Sequence, residues 1–509
     1  VYTFSVIAIF ILVIACVNYM NLTTAKSLRR AKVVGMRKVM GAKRPDLLNQ
    51  FLIESFLMTG AAVLIALAIF TIILSEFNQF AGKAIPRDIL LRPDVSLSLL
   101  IAFVVIGLLT GLYPAMMLSS FKPLNSMKGR GESGGSFALR RGLVVVQFII
   151  TVGLIAASVI VYDQWDYMKN KSLGINQDMV ISVPLQTMDR RQVDAFTNEL
   201  LANASILRAG FSNLSMPGWI RNSVGYRAQD VNVDNEVNKS MKLIRIDAGF
   251  FPTIEAAIVD GRNFSKDTPA DSAGMILNES AVAQLGWKDA IGKWVEFGQR
   301  RYTVVGVIKD FHFESLHRMI PPTMFLYQPM NVNYAYIKIA KDNAASALAH
   351  VQQVYSKFEQ KRDFTFTFVS EDVERQYVAE EKFTQVFSVF TVLAIIIACL
   401  GTFGLISFTA ERKSKEIGIR KVLGASVGNV SFMLIREFMI LLTVASIVAW
   451  PLTWYFLNGW MNGFVYRTSI TAGPFILATA LAMFILILTT GFRVFKAAVA
   501  NPVEALRSE

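Results

Sequence analysis

The sequence predicts a multi-span α-helical membrane protein, with seven transmembrane helices in this chain and an eighth in the intact protein, carrying a two-lobed α+β extracytoplasmic domain. Three observations predict it. Apolar residues fill 53% of the 509 positions. Stretches of about 20 residues nearly free of charge recur, the length that crosses a hydrocarbon core of about 30 Å. One arginine- and glycine-containing segment occurs twice at a fixed offset, and each copy leaves a hydrophobic span.

Residues 4–22, 51–75, 97–119, 142–162, 384–408, 431–457 and 473–495 read as the spans. Their orientation follows from retention of cations on the cytoplasmic side. The loop at 23–50 holds Lys26, Arg29, Arg30, Lys32, Arg37, Lys38, Lys43 and Arg44; those at 120–141 and 410–430 are also basic, and all three are read as cytoplasmic. The loops at 76–96 and 458–472 are poorer in cations and face out, with the long segment 163–383. This topology puts Val1 outside without an initiator methionine or signal peptide, so a preceding part is expected. By symmetry it is one more span and another extracytoplasmic domain.

The repeat is Arg29-Arg-Ala-Lys-Val-Val-Gly-Met-Arg-Lys-Val-Met-Gly-Ala42 against Arg412-Lys-Ser-Lys-Glu-Ile-Gly-Ile-Arg-Lys-Val-Leu-Gly-Ala425, identical at eight of fourteen positions. Chance gives roughly one, so the two are copies of one unit. The match continues upstream through Phe4-Ser-Val6 with Phe387-Ser-Val389.

The soluble segment reads as folded. Strands are expected at Met179–Pro184, Leu207–Phe211, Tyr334–Ile339 and Phe364–Val369, with helices over 189–204 and 343–360, giving two β-α-β units. A β-rich insert between them includes Lys242–Ile246 and the pair Trp294–Phe297 and Tyr302–Ile308 joined by the turn Gly298–Arg301.

Several chemistries are disfavoured. The net charge of +13 lies largely in loops facing anionic lipid or a cytoplasmic partner, so no nucleic acid is needed. The spans hold Asn18 and Gln147 but no mid-depth acid, base or histidine, which argues against proton or sodium coupling and against a passive channel. No phosphate-binding Gly-x-x-x-x-Gly-Lys-Ser/Thr loop occurs, so nucleotide binding by that route is absent. Cys16 and Cys399, at equivalent positions within spans, are expected to pack as small apolar groups. His312, Glu314 and His317 form too small a set for a metal site. No catalytic residue, cofactor or metal is therefore assigned.

Glu416-Ile-Gly-Ile-Arg-Lys-Val-Leu-Gly-Ala425, directly after a span, resembles the signature of FtsX-like permeases of ATP-binding-cassette (ABC) systems. Leu277–Gly286, Ile291–Lys293 and Val304–His317 are similar to a MacB-like periplasmic core domain. The resemblance implies permease units at 1–141 and 384–509, a transmembrane helix at 142–163 and a periplasmic core at 164–383. It also implies coupling segments at 26–45 and 411–428 that take motion from a cytoplasmic ATPase subunit. Within these, Gly35, Gly41, Gly418 and Gly424 are expected to permit close backbone approach. Arg37, Lys38, Arg420 and Lys421 are expected to pair with acids on the partner, with Glu416 in the same motif; the alternative is that the cations anchor the loop at lipid headgroups. The first copy departs from the pattern, with Leu28 and Val33 where the second has Glu411 and Glu416. Glu54 and Glu437, equivalent residues in the next spans, either brace the coupling helix through a cation such as Arg436 or are ordinary interfacial carboxylates.

The function implied is that of a permease subunit in the bacterial inner membrane, relaying ATP hydrolysis on a separate subunit to periplasmic domains for export or mechanotransmission. The alternative is a signalling or scaffold protein controlling a cell-wall hydrolase. Expected partners are the ABC ATPase, membrane lipid and, outside, a periplasmic adaptor, an outer-membrane component or that hydrolase.

Overall fold

Helices form over the long apolar runs, and two of them carry an internal proline, Pro114 and Pro451. The structure, a computed structural model, describes residues 2–41, 43–119, 134–186, 188–216, 218, 223–230, 240–316, 318–330, 332–360 and 362–499. The basic residues Lys122, Lys128 and Arg130, and His317, lie outside the described residues. The chain divides into two compact units: Val1–Trp165 with Glu380–Trp460 and Ser469–Glu509, and Asp166–Ala379 with Met461–Thr468.

The first unit opens with α1 (Tyr2–Val39), α2 (Arg44–Ala81), α3 (Pro93–Ser119) and α4 (Gly134–Asn170). The segment expected as a loop over 23–50 is mostly helix: α1 runs on through the first repeat copy, and only residues 40–43 separate it from α2. No proline falls between Tyr2 and Gly41, so nothing removes a ladder hydrogen bond before the glycine. Pro45 then sits in the first turn of α2, where its missing N–H costs nothing, and Asp46 accepts from the Lys43 amide at 3.0 Å.

The chain enters the second unit through α4 and forms β1 (Val180–Pro184), α5 (Arg190–Leu201), β2 (Ile206–Ser212), β3 (Ser223–Gly225), β4 (Arg227–Ala228), β5 (Ser240–Ile246) and the single turn α6 (Phe250–Ile254). Then come β6 (Ile258–Gly261), β7 (Gly274–Asn278), α7 (Glu279–Leu285), β8 (Trp294–Phe297), β9 (Arg300–Ile308), β10 (Thr323–Tyr327), β11 (Tyr334–Ile339), α8 (Ala344–Phe358), β12 (Thr367–Phe368) and α9 (Val369–Gln376). It returns through α10 (Val378–Arg412), the short α11 (Ser414–Val422), α12 (Val427–Met461) and α13 (Gly473–Val499). The seven helices α1, α2, α3, α4, α10, α12 and α13 are long and apolar enough to span a membrane.

The two expected β-α-β units interleave rather than stand side by side. β11 lies antiparallel between β1 and β2, and β12 joins the outer edge of β1, giving the order β12-β1-β11-β2. That is the split β-α-β arrangement of ferredoxin-like modules. Phe196, Phe211, Val351 and Tyr355 are fully buried in the core shared by this sheet, α5 and α8. The insert extends the same sheet through β5, β10, β7, β9 and β8, with its own core around Leu277, Val295 and Met324. The lobes therefore share one sheet, linked at the Ser212–Ile246 pair of β2 and β5.

Two local expectations change. The strand expected over Phe364–Val369 shrinks to Thr367–Phe368, because Phe364 and Phe366 stack on each other and Phe364 packs edge-on against Tyr355 instead of entering a ladder. The hairpin between β8 and β9 turns on two residues, Gly298 and Gln299, both at positive φ, the geometry favoured in tight hairpins. Gly210 of β2 is needed for a different reason: a Cβ there would lie 2.4 Å from the Gly249–Phe250 backbone. Residues 461–468, leading into the α12–α13 loop, belong to this unit, and Tyr466 there packs edge-on against His312 and beneath the Lys171 ammonium.

Within the spanning unit, α4 is the central helix: 61% of its apolar window is buried, against 11% for α2. It packs into one core with α10, α12 and α13, and into a second with α1 and α10.

Candidate functional site

The two repeat copies end in the same backbone device. In α1 the Met40 amide donates to the Met36 carbonyl at 3.0 Å and the Gly41 amide to Lys38 at 3.1 Å. In α11 the Leu423 amide donates to Ile419 at 3.0 Å and the Gly424 amide to Lys421 at 3.0 Å. Gly41 has φ +98° and Gly424 φ +93°, and a Cβ at either would meet nothing within 4 Å. At these two positions glycine supplies a left-handed stop to the helix. Gly35 falls inside α1, and Gly418 is buried within α11 beside Ile417.

The side chains repeat too. Arg37 donates to Gln50 Oε1 at 2.7 Å, and Arg420, thirteen residues before Met433 as Arg37 is before Gln50, points its guanidinium at the Met433 sulfur. Each arginine thus clamps its turn to the first stretch of the following span. Arg420 also pairs with Glu416 at 2.8 Å one turn earlier, and Val33 occupies the equivalent place in the first copy. Lys38 and Lys421 are half-buried, and desolvation with the nearby Arg44 charge lowers the Lys38 pKa.

A feature absent from the charge-based reading now stands out. Met36, Val39 and Met40 are 59%, 68% and 76% exposed, and their counterparts Ile419, Val422 and Leu423 are 48%, 67% and 80% exposed. Spacing i, i+3, i+4 puts each triad on one helical face. The signal that finds them is apolar periodicity inside a basic segment, kept in both copies.

Glu437 is held by Arg141 of α4 at 2.8 Å, not by Arg436, which is exposed. The reason is geometric: neighbours in sequence on a helix point in directions about 100° apart, so residue 436 cannot reach its successor's partner face. Glu54, its counterpart, is half-buried and borders a cavity of about 390 Å³ with Tyr19, Leu22 and Thr110. The two copies also differ in chain path: α1 carries its repeat without a break, whereas α10 stops at Arg412 and α11 restarts at Ser414.

Among the described residues no group of three or more histidine, cysteine, aspartate or glutamate side chains is arranged to hold a metal ion. His312 instead sits buried against Tyr466, its amide donating to the Leu173 carbonyl at 2.8 Å. Burial, then the Lys171 charge, pull its pKa down to about 4. In the insert, Arg262 grips the fully buried Asp271 through two bonds of 2.6 and 2.9 Å, which holds the Asp271 carboxyl below its usual range.

Comparison with known proteins agrees with this architecture. The profile of the FtsX-like permease C-terminal domain matches residues 5–123 and again 388–502, and that of the MacB-like periplasmic core domain matches 148–354. The macrolide export ATP-binding/permease protein MacB of Campylobacter jejuni is 23% identical over 305 residues, 56% of this chain and 45% of that protein. The protein of the same name from Neisseria gonorrhoeae is 25% identical over 265 residues, 49% of this chain and 40% of that protein. The chain thus spans about half the length of the curated relatives it matches. Among solved structures, the periplasmic region of MacB from Actinobacillus actinomycetemcomitans aligns with 40% of this chain and 94% of its own, at 17% identity and a TM-score of 0.30. With its spans matched in two copies and the segment between them matched separately, the chain carries two FtsX-like permease domains and a MacB-like periplasmic core domain.

Proposed function

We propose that the chain is the permease subunit of an ABC-type export or mechanotransmission system in the bacterial inner membrane, driven by a separate cytoplasmic ATPase. The observation that carries this reading is the duplicated tip: an exposed apolar triad on one helical face, a positive-φ glycine that ends the helix, and an arginine that ties the turn to the next span. An apolar patch at a helix end, rimmed by cations, is what a partner groove takes up, the apolar anchors supplying affinity and the cations registering against acids. Two such tips at the basic ends of the spans suit a two-lobed motor that grips both.

In this mechanism closure of the ATPase displaces α1 and α11. Arg37 and Arg420 pass the displacement to α2 and α12, and Glu437 with Arg141 passes it to α4, one of the helices that leads toward the soluble domain. The stroke is a rigid-body shift of packed helices. Gly35, Gly41, Gly418 and Gly424 shape the tips, Lys38, Lys421 and Glu416 lie beside them, and Glu54 and Glu437 sit at the roots of the following spans.

The test is co-purification from native membranes of the wild-type chain and of Met40→Asp, Leu423→Asp and the double variant. Apolar anchors at such interfaces are worth about 1–2 kcal/mol each, so the double variant should lose bound ATPase about tenfold or more while still inserting as a folded protein. Full retention of the ATPase by the folded double variant would overturn the reading.

A further inference from the structure

The geometry points to a cleft between α4, α10 and α12 as the seat of one anionic phospholipid. The cleft has a volume of about 370 Å³. Its polar end carries Arg140, Arg141, Lys413, Glu416 and Glu437, and its other wall is apolar, with Leu405, Phe408 and Leu441. Both carboxylates are committed to guanidinium groups, Glu437 to Arg141 and Glu416 to Arg420, each at 2.8 Å. Cations outnumber acids on the lining, and one of them, Arg140, is only 8% exposed. A charge so placed at the end of an apolar span faces the headgroup layer, where basic pockets between helices select anionic lipid.

The apolar wall decides the class of ligand. A free phosphate gains nothing from Leu405 and Phe408, whereas a phospholipid sets its phosphate among the cations and an acyl chain along that wall. The matching cavity in the first half, about 390 Å³, has Glu54 as the only charged residue on its described lining. Lys413 stands at the break between α10 and α11, and Glu416 lies in the first turn of α11. A headgroup bound there ties α11 to α4 and biases the second tip, independently of which partner the tip engages.

Native mass spectrometry of the full chain, extracted from vesicles of phosphatidylglycerol and phosphatidylcholine, tests this. The wild type should keep one phosphatidylglycerol in preference to phosphatidylcholine, and millimolar inorganic phosphate should not displace it. Lys413→Gln, at a half-exposed position, and Arg140→Gln should each lower that retention by about tenfold, whereas Lys413→Arg and Arg436→Gln, the latter outside the lining, should keep it. Unchanged retention in folded Lys413→Gln, equal retention of phosphatidylcholine, or displacement by phosphate would overturn the proposal.

Discussion

Asn18 packs against Gly401, which is its own counterpart in the other copy of the duplicated unit, both copies being offset as Arg29 is from Arg412. A Cβ on Gly401 would lie 1.8 Å from the Asn18 side-chain oxygen. The Asn18 amide donates to the Ile397 carbonyl at 2.5 Å, and Gln147 of α4 donates to the next carbonyl, Ala398, at 2.9 Å. Three spans are thus joined at adjacent backbone positions of α10, where α1 and α10 cross about the internal symmetry of the chain. Each such bond is worth about 0.6 kcal/mol on average inside a membrane protein, so the crossing is held mainly by the close fit that Gly401 permits.

Gly401→Ala should therefore overpack the crossing and cost about 1–3 kcal/mol. Thermal unfolding of the detergent-solubilised chain measures it, and Asn18→Ala in the same molecule should recover most of the loss. A non-additive pair of this kind is the signature of direct contact. Additive losses would place the cost elsewhere.

The Arg141–Glu437 pair is partly solvent-exposed, with side chains 46% and 26% accessible. Its removal by Glu437→Gln should cost about 1 kcal/mol or less of stability. If the pair relays motion between α12 and α4, the same change should reduce transport-linked ATPase stimulation far more than it lowers the melting temperature, and the swap Arg141→Glu with Glu437→Arg should restore it. Proportional loss of both quantities would make the pair structural only.

His312 makes the soluble domain acid-sensitive in a defined window. Its folded pKa, about 4, lies below the unfolded value of 6.5, so the folded state binds fewer protons between those values. Stability is then full above pH 6.5 and falls as the pH drops toward 4. Melting curves across that range should show the decline, and His312→Phe, which keeps a ring against Tyr466, should flatten it. An unchanged slope in that variant would assign the acid sensitivity to the carboxylates.

Much of the fold is legible in the sequence because its signals are local. Apolar length with few charges marks all seven spans, and the alternation of Ala335, Ile337 and Ile339 with Tyr334, Tyr336 and Lys338 marks β11. What is not legible is partnering at a distance. Alternation at Phe364–Val369 cannot distinguish a ladder from aromatic packing onto α8, and the interleaving of β1, β11 and β2 depends on contacts more than a hundred residues apart. The same holds at the candidate site. The repeated arginines and glycines can be read from the duplication, but the partner of Glu437 lies 296 residues away, and the role of Gly41 and Gly424 rests on backbone angles. The exposed triads escape a search that follows charge, since apolar residues after a span look like more span.

The central claim is that both tips are gripped by one ATPase. A photo-crosslinking residue placed at Met40, at Leu423, and at the outward-facing Ile72 as a control tests it most directly. In native membranes the first two should capture an ATP-binding polypeptide, more strongly after nucleotide is trapped, and Ile72 should capture lipid alone. Capture of lipid alone at both Met40 and Leu423 would contradict the account.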